Sequence, residues 1–255
     1  MSSLRFAYST INWGETPDMA AAFAEIREAG WHAVELFNHS LDWLGSPERI
    51  RDALGGLQVA TGFGSIAIPS DPKGLEIQKR RIEHAATLGA EAYGLVGGAR
   101  MRQRPPSTEE EEDLARVCED LAVHGRALGV TVAYHPHTAC TVETAAEIDR
   151  LLARTNVLTL CLDASHIALV DEDPVTHLST YQKRTSYVHL KDWARGAFIE
   201  LGRGTIGIDM PAFLAKLEEH TFPGWVVVEQ SRSEISPAES ARVNADYVRG
   251  LGYEL

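Results

Sequence analysis

Ionisable side chains recur at the ends of short apolar runs, and their types suit metal and proton chemistry. Glu35 lies in AVELF, His135 and His137 in AYHPHT, and Asp163 and His166 in CLDASH. His189, Lys191 and Asp192 follow in YVHLKD, and Glu229 in VVVEQ. Imidazole nitrogen with carboxylate oxygen is a mixed donor set that fits a divalent first-row metal such as Mn²⁺, Fe²⁺, Co²⁺ or Zn²⁺. An open coordination position would then let a substrate oxygen bind and be polarised. Each residue also has a plainer role. A histidine beside a strand can be a hydrogen-bonded core-edge residue, Asp163 can cap a helix, and Lys191 with Asp192 can form a surface ion pair. Glu35 can equally tie down a loop. Position argues against all these plainer roles at once, because they would scatter polar residues over both ends of a sheet. Nucleophilic alternatives are weak: no serine sits in a Gly-x-Ser-x-Gly elbow, and Cys140 and Cys161 lack an electropositive setting.

The elements that must position these residues form one repeated alternation. Apolar runs read as strands at 5–10, 33–37, 58–64, 92–97, 130–135, 158–163, 186–191 and 225–230. Helical segments lie between them. Thr16-Pro17 and Asp173-Pro174 each read as a cap followed by a helix-starting proline, and Ser107/Glu110 and Thr144/Glu147 as capping boxes. Leu114, Val117, Leu121 and Leu128 make one apolar stripe in the 107–128 helix. Strand–helix units of about 32 residues, apolar on both strand faces, predict an α/β fold: a single (β/α)₈ TIM barrel over residues 1–255. No Gly-x-Gly-x-x-Gly loop follows the first strand, which counts against a doubly wound sheet. Gly62, Gly64, Gly97 and Gly98 sit at strand ends, where they are expected to make room rather than cradle phosphate. In such a barrel the site forms at the carboxyl ends of the strands, where the residues above gather.

Composition narrows the partners. The 255 residues carry 24 Lys+Arg against 36 Asp+Glu, a net charge of −12, which leaves little room for a phosphate-gripping basic stripe. No nucleic-acid partner is expected, and EEEED at 109–113 reads as a solvated first helical turn. No apolar run reaches the ~18 residues of a membrane span, and the start does not read as a secretory signal. Three cysteines (Cys118, Cys140, Cys161) with no close pair suggest a reducing compartment, the cytoplasm. A homo-oligomer stays open.

Beyond these readings, the order LCLDASHI, YVHLKD, LGRGTIGID, WVVVEQ resembles the xylose-isomerase-like sugar phosphate isomerase/epimerase superfamily. AYHPHTACTVET, LDASHI, HLKD and GWVVVE are similar to the inosose (keto-inositol) dehydratases within it. The likeness runs along essentially the whole chain. It implies a metal-dependent TIM barrel that eliminates water from a keto-inositol. In the superfamily one metal is held by Glu, Asp, His and Glu from strands five to eight, and the last three carry over onto Asp163, His189 and Glu229. The strand-five carboxylate does not, since Ala133, Tyr134 and His135 occupy its region. His135 takes the fourth ligand place, with His137 or a water as alternatives. His166 matches a substrate-contacting histidine, Arg195 an arginine that holds substrate hydroxyls, and Asp209 a helix cap before Met210-Pro211. Glu35 is expected beside Arg195 as a second holder of hydroxyls.

The departure at strand five favours elimination. Epimerases of the superfamily use two carboxylates on opposite substrate faces, and here one is missing. An elimination needs a metal to polarise the ketone, a base for the α-proton and an acid for the departing hydroxyl. His137, His166 and Lys191 are the candidate acid and base groups. The reading is a hydro-lyase acting on a polyhydroxy ketone, with Mn²⁺ the favoured ion. A ketose isomerase or 3-epimerase, a lyase of 3-keto-glycosides and a non-catalytic sugar-binding barrel are the alternatives, while an abasic-site endonuclease is disfavoured by charge. Trp13, Phe37, Trp43 and Trp193 near the rim stack on a sugar face, line a subunit contact or simply pack.

Overall fold

The runs that are apolar on both faces close into a ring of parallel strands in this computed structural model, which describes residues 4–14, 18–37, 46–100 and 104–255. Around the ring, β1 (Arg5–Ser9) pairs with β2 (Ala33–Leu36), followed by β3 (Gln58–Ile66), β4 (Ala92–Gly97) and β5 (Thr131–Tyr134). Then come β6 (Thr159–Asp163), β7 (Thr185–Leu190) and β10 (Trp225–Val228), which closes onto β1. All eight expected strands are present among the described residues. Because neighbours are parallel, each connection must return over the outside of the ring, and helices make that return. They are α1 (Met19–Glu28), α2 (Pro47–Leu54), α3 (Pro72–Thr87), α4 (Thr108–Ala127), α5 (Ala145–Ala153), α6 (Ala164–Ala168), α7 (Pro174–Tyr181), α8 (Met210–Glu219) and α9 (Pro237–Gly250).

Local chemistry starts these helices where the side chains allow it. Ser107 Oγ accepts from the Glu110 amide at 3.3 Å, and Glu110 accepts from the Ser107 amide at 2.7 Å, completing a capping box on α4. Asp173 caps α7 through the Thr176 amide at 2.9 Å, with Pro174 at the helix start. Asp209 caps α8 through Ala212 at 2.9 Å, as expected. Glu147 accepts from the Thr144 amide at 3.1 Å ahead of α5. Thr16, Pro17 and Trp43 lie outside the described residues, and α1 is capped by Asp18, whose carboxylate accepts from Ala21. Leu128 departs from the expected stripe: Leu114, Val117 and Leu121 are buried, whereas Leu128 is 42% exposed beyond the end of α4. The stripe ends where the helix does.

Inside the ring a two-residue period sets the site's height. Ala33, Ala133, Cys161, Tyr187 and Val227 belong to one inward-facing apolar cluster with Ala7, Ala60, Ala92 and Trp225. Two residues further along the same chains stand Glu35, His135, Asp163, His189 and Glu229, all buried. Side chains alternate along a strand, so each of these polar groups shares the inner face of the apolar residue before it. Gly62 and Gly64 do make room, since a Cβ at either would strike the Tyr93 side chain. One element escaped the sequence reading: β8 (Asp192–Ala194) and β9 (Ala197–Ile199) form an antiparallel hairpin, too short for an alternation signal. Its two-residue turn, Arg195-Gly196, has positive φ at both positions.

Removing the α4 cap tests this account of local structure. Ser107→Ala should cost about 1 kcal/mol in urea unfolding with an unchanged m-value. Full wild-type stability would show that the capping box contributes nothing measurable.

Candidate active site

Four side chains that can ligate a metal converge above the apolar layer. His135, Asp163, His189 and Glu229 each bring one ligand atom to within 4.8 Å of the other three, and all four are buried. They arrive from four different chain segments. His135 and Glu229 sit just beyond β5 and β10, with their amides still bonded to Leu95 and Leu190 carbonyls. Asp163 ends β6 and pairs in register with His189 of β7. His189 Nδ1 lies 2.7 Å from a Glu229 oxygen, and His135 Nε2 lies 3.7 Å from Asp163 Oδ2.

The backs of these groups are held as firmly as their fronts. Asp163 Oδ1 accepts from the amides of Ser165 at 2.8 Å and His166 at 3.2 Å, so it does cap α6. That leaves Oδ2 to face the cluster. His135 Nδ1 lies 3.1 Å from the Pro136 carbonyl, which can only accept, so Nδ1 carries the proton and Nε2 the lone pair. His135 Nε2, Asp163 Oδ2 and His189 Nδ1 are all buried without a well-aligned hydrogen-bond partner. Orphaned donor atoms of this kind, pooled in one place, are what a bound cation would satisfy. The nitrogen and oxygen set fits a divalent first-row ion, and all four residues would hold it.

A second layer of ionisable groups stands beside the four. Lys191 is buried, with Nζ 2.8 Å from Glu229 Oε1, 3.4 Å from Asp163 Oδ2 and 3.3 Å from His166 Nε2. His166 Nδ1 lies 3.1 Å from the Thr138 hydroxyl, and the His137 ring lies 3.7 Å from the His166 ring, centroid to centroid. His137 Nδ1 meets the Thr138 carbonyl at 2.6 Å, which leaves its Nε2 as a free acceptor. Burial pushes the pKa values of His137 and His166 down, and the Lys191 ammonium adds to the fall. Burial alone would lower Lys191 too, but Glu229 and Asp163 outweigh it and raise its pKa. Burial likewise opposes a charged Glu229, yet Lys191 and His189 hold its carboxyl well below the ordinary range. The layer therefore offers neutral imidazoles beside a protonated amine.

The two residues expected to hold substrate hydroxyls differ in setting. Glu35 does not offer its carboxylate to open space: it is fully buried, accepts from Thr61 Oγ1 at 3.0 Å and meets His189 Nε2 at 3.0 Å. Arg195 is exposed at the hairpin tip, because the two-residue turn turns the chain back there. Lys191 and Asp192 are also no surface pair. Asp192 turns away from Lys191 and accepts from the amides of Trp193, Gly202 and Gly204. Trp13 packs against the core, with Nε1 bonded to Glu25 at 2.6 Å. Phe37 stacks on Phe63, and Trp193 lies edge-on to Phe198.

Phe63, Phe198 and Thr138 are the neighbours that motif reading missed. Phe63 lies 5.5 Å from the His135 ring and 5.4 Å from His189, while Lys191 Nζ stands 4.8 Å over the Phe198 ring. Only the hairpin's existence would have flagged Phe198. All three cysteines are free; burial raises each thiol pKa, that of Cys140 to about 11, so none is poised as a thiolate.

Comparison with known proteins decides the family. The profile of the xylose isomerase-like TIM barrel matches residues 23–251. The chain belongs to this family. It is 27% identical to the inosose dehydratase of Lacticaseibacillus casei over 266 aligned residues, covering 89% of this chain and 88% of that one. Among solved structures, the 3-keto-D-glucoside 4-epimerase of E. coli matches with a TM-score of 0.80 at 18% identity, over 98% of this chain and 100% of that one. An IOLI protein with a bound zinc atom matches with a TM-score of 0.75 at 19% identity, over 99% of each chain. The last two likenesses are likenesses of fold.

His135 is the informative position, because His137 or a water is the alternative for its place in the four-residue group. His135→Ala should weaken Mn²⁺ binding at least ~10-fold in isothermal titration, whereas His135→Glu should keep the ion bound. An unchanged affinity in His135→Ala would give the fourth place to His137 or a water.

Proposed function

We propose that the chain, acting as one barrel domain over residues 1–255, is a metal-dependent hydro-lyase that dehydrates a keto-inositol or related polyhydroxy ketone. The observation that carries the reading is the meeting of two unlike groups of side chains. Orphaned ligand atoms of His135, Asp163 and His189, with Glu229, lie beside the proton-handling set His137, His166 and Lys191. The inosose dehydratase relative at 27% identity supports the substrate class. Mn²⁺ is the proposed resident ion, and three free cysteines support a reducing compartment such as the cytoplasm. No helix among the described residues is long and apolar enough to cross a membrane.

A divalent ion held by His135, Asp163, His189 and Glu229 would polarise the ketone oxygen and offset charge developing there. The chain's own groups move the protons. His137 Nε2, free to accept, is placed to take the proton from the carbon beside the carbonyl. The electron pair of that C–H bond becomes the new C=C bond, and the C–O bond to the neighbouring hydroxyl breaks. Lys191, protonated and 3.3 Å from His166, supplies the proton with which that hydroxyl leaves as water, directly or through His166. Burial of Lys191 and His166 excludes bulk water from this transfer. Arg195, at the exposed hairpin tip, is proposed to hold substrate hydroxyls from outside the buried cluster.

A second reading, a ketose isomerase or 3-epimerase, draws on the epimerase fold likeness. It is disfavoured because His135 occupies the strand-five position where the second carboxylate of an epimerase pair would stand. A lyase of 3-keto-glycosides would use the same metal and proton groups on a different leaving group.

Incubating the Mn²⁺-loaded protein with keto-inositols and ketoses in D₂O separates these readings. The expected outcome is loss of water from a keto-inositol, activity lost in excess chelator and regained with Mn²⁺ or Co²⁺. Lys191→Met should lower kcat by roughly 10²–10⁴-fold with metal retained. Solvent deuterium entering a ketose without loss of water would establish the isomerase or epimerase instead, and full turnover in chelator would remove the metal from the scheme.

A further inference from the structure

Glu35 is the one buried carboxylate of the cluster that neither reaches the four ligand atoms nor takes part in the proton-handling set. Its surroundings are specific. The β2–β3 pairing slips between Val34 and Glu35, and beyond the slip Glu35 stands in register with Thr61. An irregularity of this kind re-aims the side chain that follows it. Glu35 is thereby turned across the barrel interior toward His189 of β7, which is not a neighbouring strand. One oxygen, Oε2, both accepts from the Thr61 hydroxyl at 3.0 Å and meets His189 Nε2 at 3.0 Å.

We infer that Glu35 is a positioning residue: with Thr61 behind it, it holds the proton of His189 on Nε2 and presents Nδ1 to the metal. This rests on the metal reading above. A carboxylate only accepts, so each ring nitrogen facing one keeps its hydrogen; an ion bound among the ligand atoms would displace the hydrogen on Nδ1, while Glu35 would retain the one on Nε2. Nδ1 sits 2.7 Å from Glu229 Oε2, orphaned among the ligand atoms. Phe63, 5.4 Å from the His189 ring, packs against it and restricts its tilt. Pro136 plays the same part for His135 through a backbone carbonyl, which no substitution can remove. Glu35 is therefore the position at which this control can be tested by mutation. The outer partner of a metal-bound histidine fixes both ring orientation and tautomer, and losing it typically weakens metal binding ~10–100-fold.

The test compares wild type, Glu35→Ala and Glu35→Gln by Zn²⁺ titration and by long-range ¹H–¹⁵N correlation of His189 in the Zn²⁺-loaded proteins. Circular dichroism and thermal melts confirm that each variant is folded. The expected result is a ~10–100-fold loss of Zn²⁺ affinity in Glu35→Ala, largely restored in Glu35→Gln, whose amide oxygen still accepts from Nε2–H. In wild type the zinc-bound ring should carry its proton on Nε2, and in Glu35→Ala a second population should carry it on Nδ1. Undiminished affinity in Glu35→Ala, or a wild-type proton on Nδ1, would overturn this inference alone. Failure of the wild type to take up Zn²⁺ or Mn²⁺ would overturn the metal reading and this inference with it.

Discussion

Two carboxylates and an ammonium share a volume that water barely enters, and the rest of the structure is arranged around that fact. Asp163, Glu229 and Lys191 are each at most 4% exposed. Taking such ions out of water costs several kcal/mol apiece, which only close, well-aligned partners can offset. Lys191 reaches both carboxylates, at 2.8 and 3.4 Å, and the amides of Ser165 and His166 satisfy the far oxygen of Asp163. Such geometry must be held to within fractions of an ångström. A closed ring of strands provides it, because the backbone beneath each ion is bonded on both sides and packed on a buried apolar layer.

A second constraint follows from the first. Four histidines (His135, His137, His166 and His189) pack together beside those charges, with the last three rings each 4.9–5.5 Å from that of His135, and an imidazole has one lone pair to place only when it is neutral. Each ring has an acceptor behind one nitrogen: the Pro136 carbonyl, the Thr138 carbonyl, the Thr138 hydroxyl and Glu35, respectively. These contacts decide which nitrogen faces the cavity. They also separate the rings into two kinds: His135 and His189 belong to the four-residue ligand group, whereas His166 bonds to Lys191 and His137 lies against His166. The chemistry is divided by hydrogen bonds that no motif displays.

That difference explains what was legible in the sequence. Strand positions could be read because an apolar run of the right length between capped helices has few other uses. Standing at the ends of those runs placed Glu35, His135, Asp163, His189 and Glu229 on one rim. Direction across the barrel was not legible. Glu35 reaches His189 through a slip in strand pairing, which depends on the register of two strands and leaves no local signature. The hairpin of β8 and β9 was missed for a related reason: three residues a side cannot establish alternation, so Arg195 was placed by the family resemblance alone and its turn went unseen. Phe198, which covers Lys191, went unnoticed with it.

The histidine at 135 changes the balance of the whole cluster. A carboxylate there would be a third acidic group beside Asp163 and Glu229, in a region with one ammonium to answer it. The imidazole contributes a ligand atom without that extra charge, so an ion bound beside it would keep more of its own positive charge for a substrate oxygen. It also removes one of the two facing carboxylates on which symmetric proton exchange at a single carbon depends. What stands in the remaining space is a graded set: His137 open to accept, Lys191 protonated to donate, and His166 hydrogen-bonded to Lys191 and tilted against His137. A proton removed in one place and another delivered nearby is the requirement of elimination, and under the proposed function these three side chains would meet it.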